Sequence, residues 1–165
     1  MQSMEEIYQQ YSNMVYKYLI CLCGNAEVAE DLTQETFVIA VKKINQFRGD
    51  CKVSSWLCQI AKHLWFKELK KSKKLSSEEL TDEIGILKAT EEIVCEKEEK
   101  LELFKSMQKL DEPVRQVVYL RMMGNLSFLE IAEVLDKTPN WARVTFFRAK
   151  QKIREERENG EKGRM

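Results

Sequence analysis

A chain of 165 residues with 44% apolar and 33% charged residues holds enough apolar material for one domain or two small ones, which excludes a disordered polymer. Its 27 basic and 27 acidic residues cancel, yet they are unevenly placed. Residues 1–75 carry 11 Lys/Arg against 8 Asp/Glu, residues 76–100 carry 3 against 9, and residues 101–165 carry 13 against 10. Two mildly basic blocks flank an acidic segment, so the average charge says little about partners.

No apolar run approaches membrane-spanning length. The opening "MQSMEEIYQQYSNMVYKY" has neither a basic start nor a continuous apolar stretch. No signal peptide is expected, and the protein is expected in the cytoplasm. With only two prolines and six glycines, helical periodicity recurs along the chain and strand-like alternation is nowhere sustained. The fold class expected is all-α.

The first block predicts three helices, over 4–22, 26–45 and 54–73. "NQFRGDCKVSS" between the last two reads as a loop from its Asn, Gly, Asp and Ser content. On the second helix Glu27, Asp31, Gln34 and Glu35 share one side with Val38 beside them, while Ala29, Leu32, Ile39 and Ala40 lie across. An ordinary solvated face has this pattern, and so does a docking surface for a basic protein. On the third helix Leu57, Ile60, Ala61 and Leu64 form the stripe expected to be buried. Trp56, Gln59, His63, Lys67, Lys70 and Lys74 line another, and residues 62–74 hold six lysines and one glutamate. Aromatic and imidazole rings among lysines suit a single nucleic-acid strand, where bases stack and phosphates pair. Trp56 could equally anchor a core. His63 is the sole histidine and has no catalytic partner motif.

"SSEELTDEIGILKATEE" lacks a core face and reads as a linker. Beyond it, helices are expected over 100–110, 113–123, 127–135 and 139–157, with "ENGEKGRM" as a frayed tail. Ser127 with Glu130 makes a capping box, and Thr138-Pro139 places a cap and a first-turn proline on the last helix. "SFLEIAEVL", "DKT" and "PNWARVTFFRAKQKI" then read as a helix-turn-helix whose second helix enters the major groove. Ala142, Phe146, Ala149 and Ile153 form its inward stripe. The opposite side carries Asn140, Arg143, Val144, Phe147 and Arg148. Two apolar side chains among arginines there could pack on another domain. They also suit DNA, where arginines donate to guanine edges or phosphates and apolar groups meet thymine methyls.

Five cysteines, Cys21, Cys23, Cys51, Cys58 and Cys95, make an odd count without framework spacing. They read as small buried hydrophobes, and no cofactor or metal is expected. No Gly-rich phosphate loop, nucleophile motif or catalytic carboxylate pair is seen, so an enzyme is not expected.

Taken together, "AEDLTQETFVIAVKKINQFRGD", "KVSSWLCQIAKHLWFKELKKSKK" and "LDEPVRQVVYLRMMGNLSFLEIAEVL…WARVTFFRAKQKI" resemble, in order, regions 2.1–2.2, 2.3–2.4 and 4 of bacterial RNA polymerase sigma factors. The resemblance is to the extracytoplasmic-function (ECF) group of the sigma-70 family and covers nearly the whole chain. It implies two small helical domains: region 2 over 1–75 and a helix-turn-helix region 4 over 101–158. An acidic linker over 76–100 joins them, and a disordered tail covers 159–165. It also implies a monomeric, non-catalytic subunit that gives core RNA polymerase its promoter choice. By position, Asp31, Gln34, Glu35 and Phe37 would dock on the clamp coiled coil of the largest polymerase subunit. The flap of the second-largest subunit would hold region 4. Arg48, Lys52, Trp56, Gln59, His63, Lys67 and Lys70 would capture and help melt the minus-ten element. Asn140, Arg143, Val144, Phe147 and Arg148 would read the minus-thirty-five element. The resemblance further implies control by an anti-sigma factor, often membrane-anchored. His63 stands where the family often has Asn. A stand-alone dimeric helix-turn-helix regulator would share the last motif but would need a palindromic site.

Overall fold

The computed structural model describes residues 2–49, 51–75, 102 and 105–162, and among these described residues six α-helices follow one another. They are α1 (Met4–Cys23), α2 (Ala26–Lys43), α3 (Val53–Leu75), α4 (Val114–Met122), α5 (Phe128–Leu135) and α6 (Pro139–Lys162), with a short 3₁₀ turn at Ile44–Gln46. A further helical turn covers 105–108. Among the described residues there is no strand. The acidic linker over 76–100 and Cys95 lie outside the described residues.

Local chemistry sets the helix ends. The Ser3 side chain accepts from the Glu6 N–H and starts α1, and Asn25 does the same for α2 through the Val28 N–H. Between them Gly24 takes φ 67°, where a glycine has no Cβ penalty, and its N–H donates to the Ile20 carbonyl. Ser127 and Glu130 form the reciprocal capping box expected at the start of α5. The Thr138 hydroxyl accepts from the Trp141 N–H at the start of α6. α6 runs on to Lys162, past the limit expected for it and into the stretch expected to fray.

Helices α1, α2 and α3 pack on one another, as do α4, α5 and α6. The expected inward stripes are all buried: Leu57, Ile60, Ala61 and Leu64 on α3, and Ala142, Phe146, Ala149 and Ile153 on α6. α2 buries two sides rather than one, since it meets both α1 and α3.

The two bundles also pack together, α1 against α4 and α3 against α5, and their cores are continuous. Two tyrosines sit at the first joint, Tyr18 and Tyr119, stacked with ring centroids 6.1 Å apart. The Tyr18 hydroxyl donates to Gln116 Oε1 at 2.9 Å, and the Tyr119 hydroxyl donates to the Met14 carbonyl at 2.8 Å. Both tyrosines and Gln116 are buried, so each bond satisfies a group that water does not reach. Cys21 and Cys58 are buried in the same core. Burial pushes the Cys21 thiol up to about 12 and Cys58 higher still, which keeps both protonated and unreactive.

Candidate nucleic-acid interface

The last helix carries the first candidate face. Asn140, Arg143, Phe147 and Arg148 are exposed and Val144 is half-buried, opposite the core stripe. Phe147 is 54% exposed, yet it is not loose. Its ring centroid lies 5.4 Å from that of Phe146 and 6.2 Å from that of Phe128. Phe128 is itself covered by the Arg121 guanidinium, 4.3 Å from its centroid, a favourable cation–π contact. Phe147 therefore rests on a stack of aromatic groups and offers its outer face to solvent. Arg143 is partly pre-oriented, because its Nη2 donates to Asn140 Oδ1 at 2.9 Å. The helical period places Arg143 and Arg148 on either flank of Phe147. An apolar plate between two guanidinium groups matches the edge of a base pair in the major groove.

The second candidate face lies on α3 and the loop before it. Arg48, Lys52, His63, Lys67 and Lys70 are exposed, and Trp56 and Gln59 are half-buried. Trp56 tilts against Phe47, centroids 4.9 Å apart. Phe47 is absent from the residues expected at this face; an aromatic in an otherwise polar loop is the signal that marks it. Together the two rings make an apolar platform beside Arg48 and Lys52, a surface on which an unpaired base could stack.

Lys62, one turn along α3, behaves differently from its neighbours. It is half-buried, its Nζ donates to the Val134 carbonyl of α5 at 2.6 Å, and it lies 5.8 Å from the Phe66 ring centroid. Burial pushes its ammonium below the ordinary lysine value, Asp136 opposes this, and Lys137 adds to it.

The third face is on α2. Asp31, Gln34 and Glu35 are exposed as expected, joined by Glu27, Val38 and Val41. Phe37 is a correction. It is expected among the docking residues but is only 5% exposed, turned inward with the Tyr8 ring edge-on to it at 4.9 Å. The helix surface that Phe37 would have offered is covered by α1, and Tyr8 is the aromatic that remains 46% exposed there. Beside it a cleft of about 410 Å³ opens between α1 and α2, reaching Gln34.

A helix-turn-helix joined to a second helical body with its own cationic aromatic face is the arrangement expected from the resemblance to the sigma-70 family. Comparison with known proteins agrees. Sigma-70 region 2 matches residues 7–75, and Sigma-70 region 4 matches residues 100–153. The ECF RNA polymerase sigma factor SigM of Bacillus subtilis is 31% identical over 157 residues, covering 92% of this chain and 93% of SigM. RNA polymerase sigma factor YlaC of the same organism is 29% identical over 156 residues, covering 92% of this chain and 90% of YlaC. The solved structure of the sigma factor RpoE with the anti-sigma factor NepR from Bartonella quintana superposes with a TM-score of 0.67 at 16% identity. That match covers 92% of this chain and 94% of RpoE, and it speaks for the fold. The chain belongs to the ECF group of the sigma-70 family. It is a factor for promoter-specific transcription initiation, and its two bundles are the region 2 and region 4 domains. No helix among the described residues is long and apolar enough to cross a membrane.

Proposed function

We propose that the chain acts as a cytoplasmic, monomeric, non-catalytic subunit that divides promoter recognition between two of its faces and docks on core polymerase through the third. The observation that carries this is the placement of aromatic groups among cations on two separate outward surfaces, one on each bundle. Asn140, Arg143, Val144, Phe147 and Arg148 read the duplex minus-thirty-five element. Phe47, Trp56 and the cations Arg48, Lys52, Lys67 and Lys70, with Gln59 and His63, hold the unpaired minus-ten strand. Asp31, Gln34 and Glu35, with Tyr8 in place of Phe37, dock on the clamp coiled coil of the largest subunit of core RNA polymerase. A groove between α4 and α6, floored by Val118, Met122, Phe146 and Ile153 and rimmed by Lys150, Arg154 and Arg157, suits an apolar segment with acidic flanks. The flap of the second-largest polymerase subunit is assigned to it.

The domain limits follow the same reading: 1–75, a linker over 76–100, and 101–158. An anti-sigma factor controls the chain and can hold it near the membrane. Support comes from the solved relative, whose structure was determined with its anti-sigma factor NepR. The signal relieved is one from the envelope or outside the cell, as the name of the group indicates.

Base flipping costs a few kcal/mol, more than a small domain gains from a handful of exposed contacts. Holding both domains on one promoter makes the second contact intramolecular and supplies the difference. Run-off transcription with core polymerase on a promoter library tests the proposal. The expected product comes from asymmetric, bipartite promoters and only when core enzyme and this chain are both present. Tight binding of the pure chain to a palindrome would instead favour a stand-alone regulator. On the docking face, Asp31→Asn with Glu35→Gln is expected to weaken polymerase association about tenfold or more, with an unchanged melting curve, since both carboxylates are exposed. Co-purification of the variant with core enzyme at the wild-type level would remove the face from the polymerase contact.

A further inference from the structure

The turn between α5 and α6 is fixed at both ends. Asp136 closes α5 at φ 54°, in the left-handed region, and the Lys137 N–H donates to the Ala132 carbonyl at 2.9 Å. Thr138 then starts α6, its hydroxyl accepting from the Trp141 N–H at 3.1 Å and its carbonyl from the Ala142 N–H at 3.1 Å. The backbone of Lys137 is therefore held on a short rigid bridge. Its exposed side chain folds back over the half-buried Trp141 ring, with Nζ 5.5 Å from the centroid. An ammonium over an aromatic face is attracted by the ring quadrupole, and tryptophan provides the strongest such face. A long, flexible cation is thereby kept near one place.

The charge pattern of α6 gives that place a meaning. By the helical period, one flank of the DNA-facing stripe carries the exposed Arg143, Lys150 and Arg154. The other flank carries the exposed Arg148 and Lys152, and Trp141 falls within about 20° of both. An indole bears no charge, so the first turn of that flank has no cation of its own. Lys137 supplies one from outside the helix. A helix in the major groove runs between two phosphate backbones, so both of its flanks meet anions. We propose that Lys137 grips a backbone phosphate at the edge of the minus-thirty-five element and that Trp141 is the residue that positions it. The inference rests on the proposed reading of that duplex by α6, and neither residue is among those assigned to the reading.

The test uses core RNA polymerase with the full chain and a fluorescein-labelled promoter duplex, kept cold so that the strands stay paired. Lys137→Met removes the ammonium and keeps the length of the side chain. It is expected to weaken binding about fivefold and to lower the slope of log K against log salt by about 0.9, the share of one phosphate. The loss should be the same for every base sequence at the upstream element. A loss confined to certain bases would make Lys137 a base reader and overturn the proposal. Neutral methylphosphonate linkages, placed one at a time along both strands, then locate the partner. One linkage, or two neighbours, should weaken the unmodified complex about as much as Lys137→Met does, and should cost the variant nothing more. No loss, or no linkage coupled to Lys137, overturns the contact. Trp141→Phe should keep most of the affinity, whereas Trp141→Leu should match Lys137→Met in affinity and slope and add nothing to it in the double variant. In the nuclear magnetic resonance spectrum of the free chain, the indole ring current should move the Lys137 ε-methylene protons upfield. Unshifted protons remove Trp141 from its role, even where Trp141→Leu fails to fold. Run-off transcription by the unmodified chain reports separately on the underlying function: its failure sinks the promoter reading, and its success beside an unaffected Lys137→Met sinks only the phosphate contact.

Discussion

Replacing Phe146 by alanine is expected to cost about 3–5 kcal/mol of stability, the usual toll for removing a buried aromatic side chain. The same change one residue later, Phe147→Ala, is expected to cost about 1 kcal/mol, the worth of its aromatic contacts. The two rings are neighbours on one helix, but Phe146 is 7% exposed and Phe147 is 54% exposed. Phe146 also floors the groove between α4 and α6, so its loss leaves a hole under two helices. Thermal melts should separate the pair plainly. Transcription should separate them the other way: Phe147→Ala, still folded at the assay temperature, should lose promoter use out of proportion to its small loss of stability. Equal destabilisation by both changes would place Phe147 in the core and remove it from the DNA face.

Arg143→Ala is expected to weaken promoter use by about 1–3 kcal/mol, or about 5–150-fold. The side chain is exposed and steered by Asn140, so its removal leaves no buried partner stranded and the fold should stand. Arg143→Lys should recover little of the loss, because an ammonium cannot reproduce the flat two-pronged donor set that a guanine edge accepts. Discrimination at one position of the upstream element should relax at the same time, which distinguishes a base contact from a phosphate contact. A promoter library transcribed with core polymerase reads both effects. Unchanged output at every promoter would strip Arg143 of its role.

Residue spacing alone reveals much of this fold. The stripes Leu57–Ile60–Ala61–Leu64 and Ala142–Phe146–Ala149–Ile153 are buried as their periodicity requires, because helical period and burial are tied by geometry. The capping box at Ser127 forms because both partners lie within one turn. Phe37 cannot be placed from its own helix alone. α2 packs on two neighbours, and a single period does not tell a helix with one buried side from one with two. The joint of Tyr18 with Gln116 spans 98 residues of sequence; nothing local marks such a pair. Phe47 and Trp56 meet only because the loop after Gln46 folds back on α3. α6 outruns its expected end because the described residues beyond Ile153 are exposed, so its last turns carry no apolar period to betray them.

The stacked tyrosines between the bundles equip the protein with a native optical gauge. Burial holds the Tyr18 phenol well above its ordinary value, with Cys58, Glu112 and Cys21 adding to it. During an alkaline titration the ultraviolet absorbance of phenolate should therefore show a late stage, belonging to Tyr18, for as long as the bundles remain joined. Anything that prises them apart would hydrate that ring and bring its stage to lower pH, reporting the separation with no dye attached.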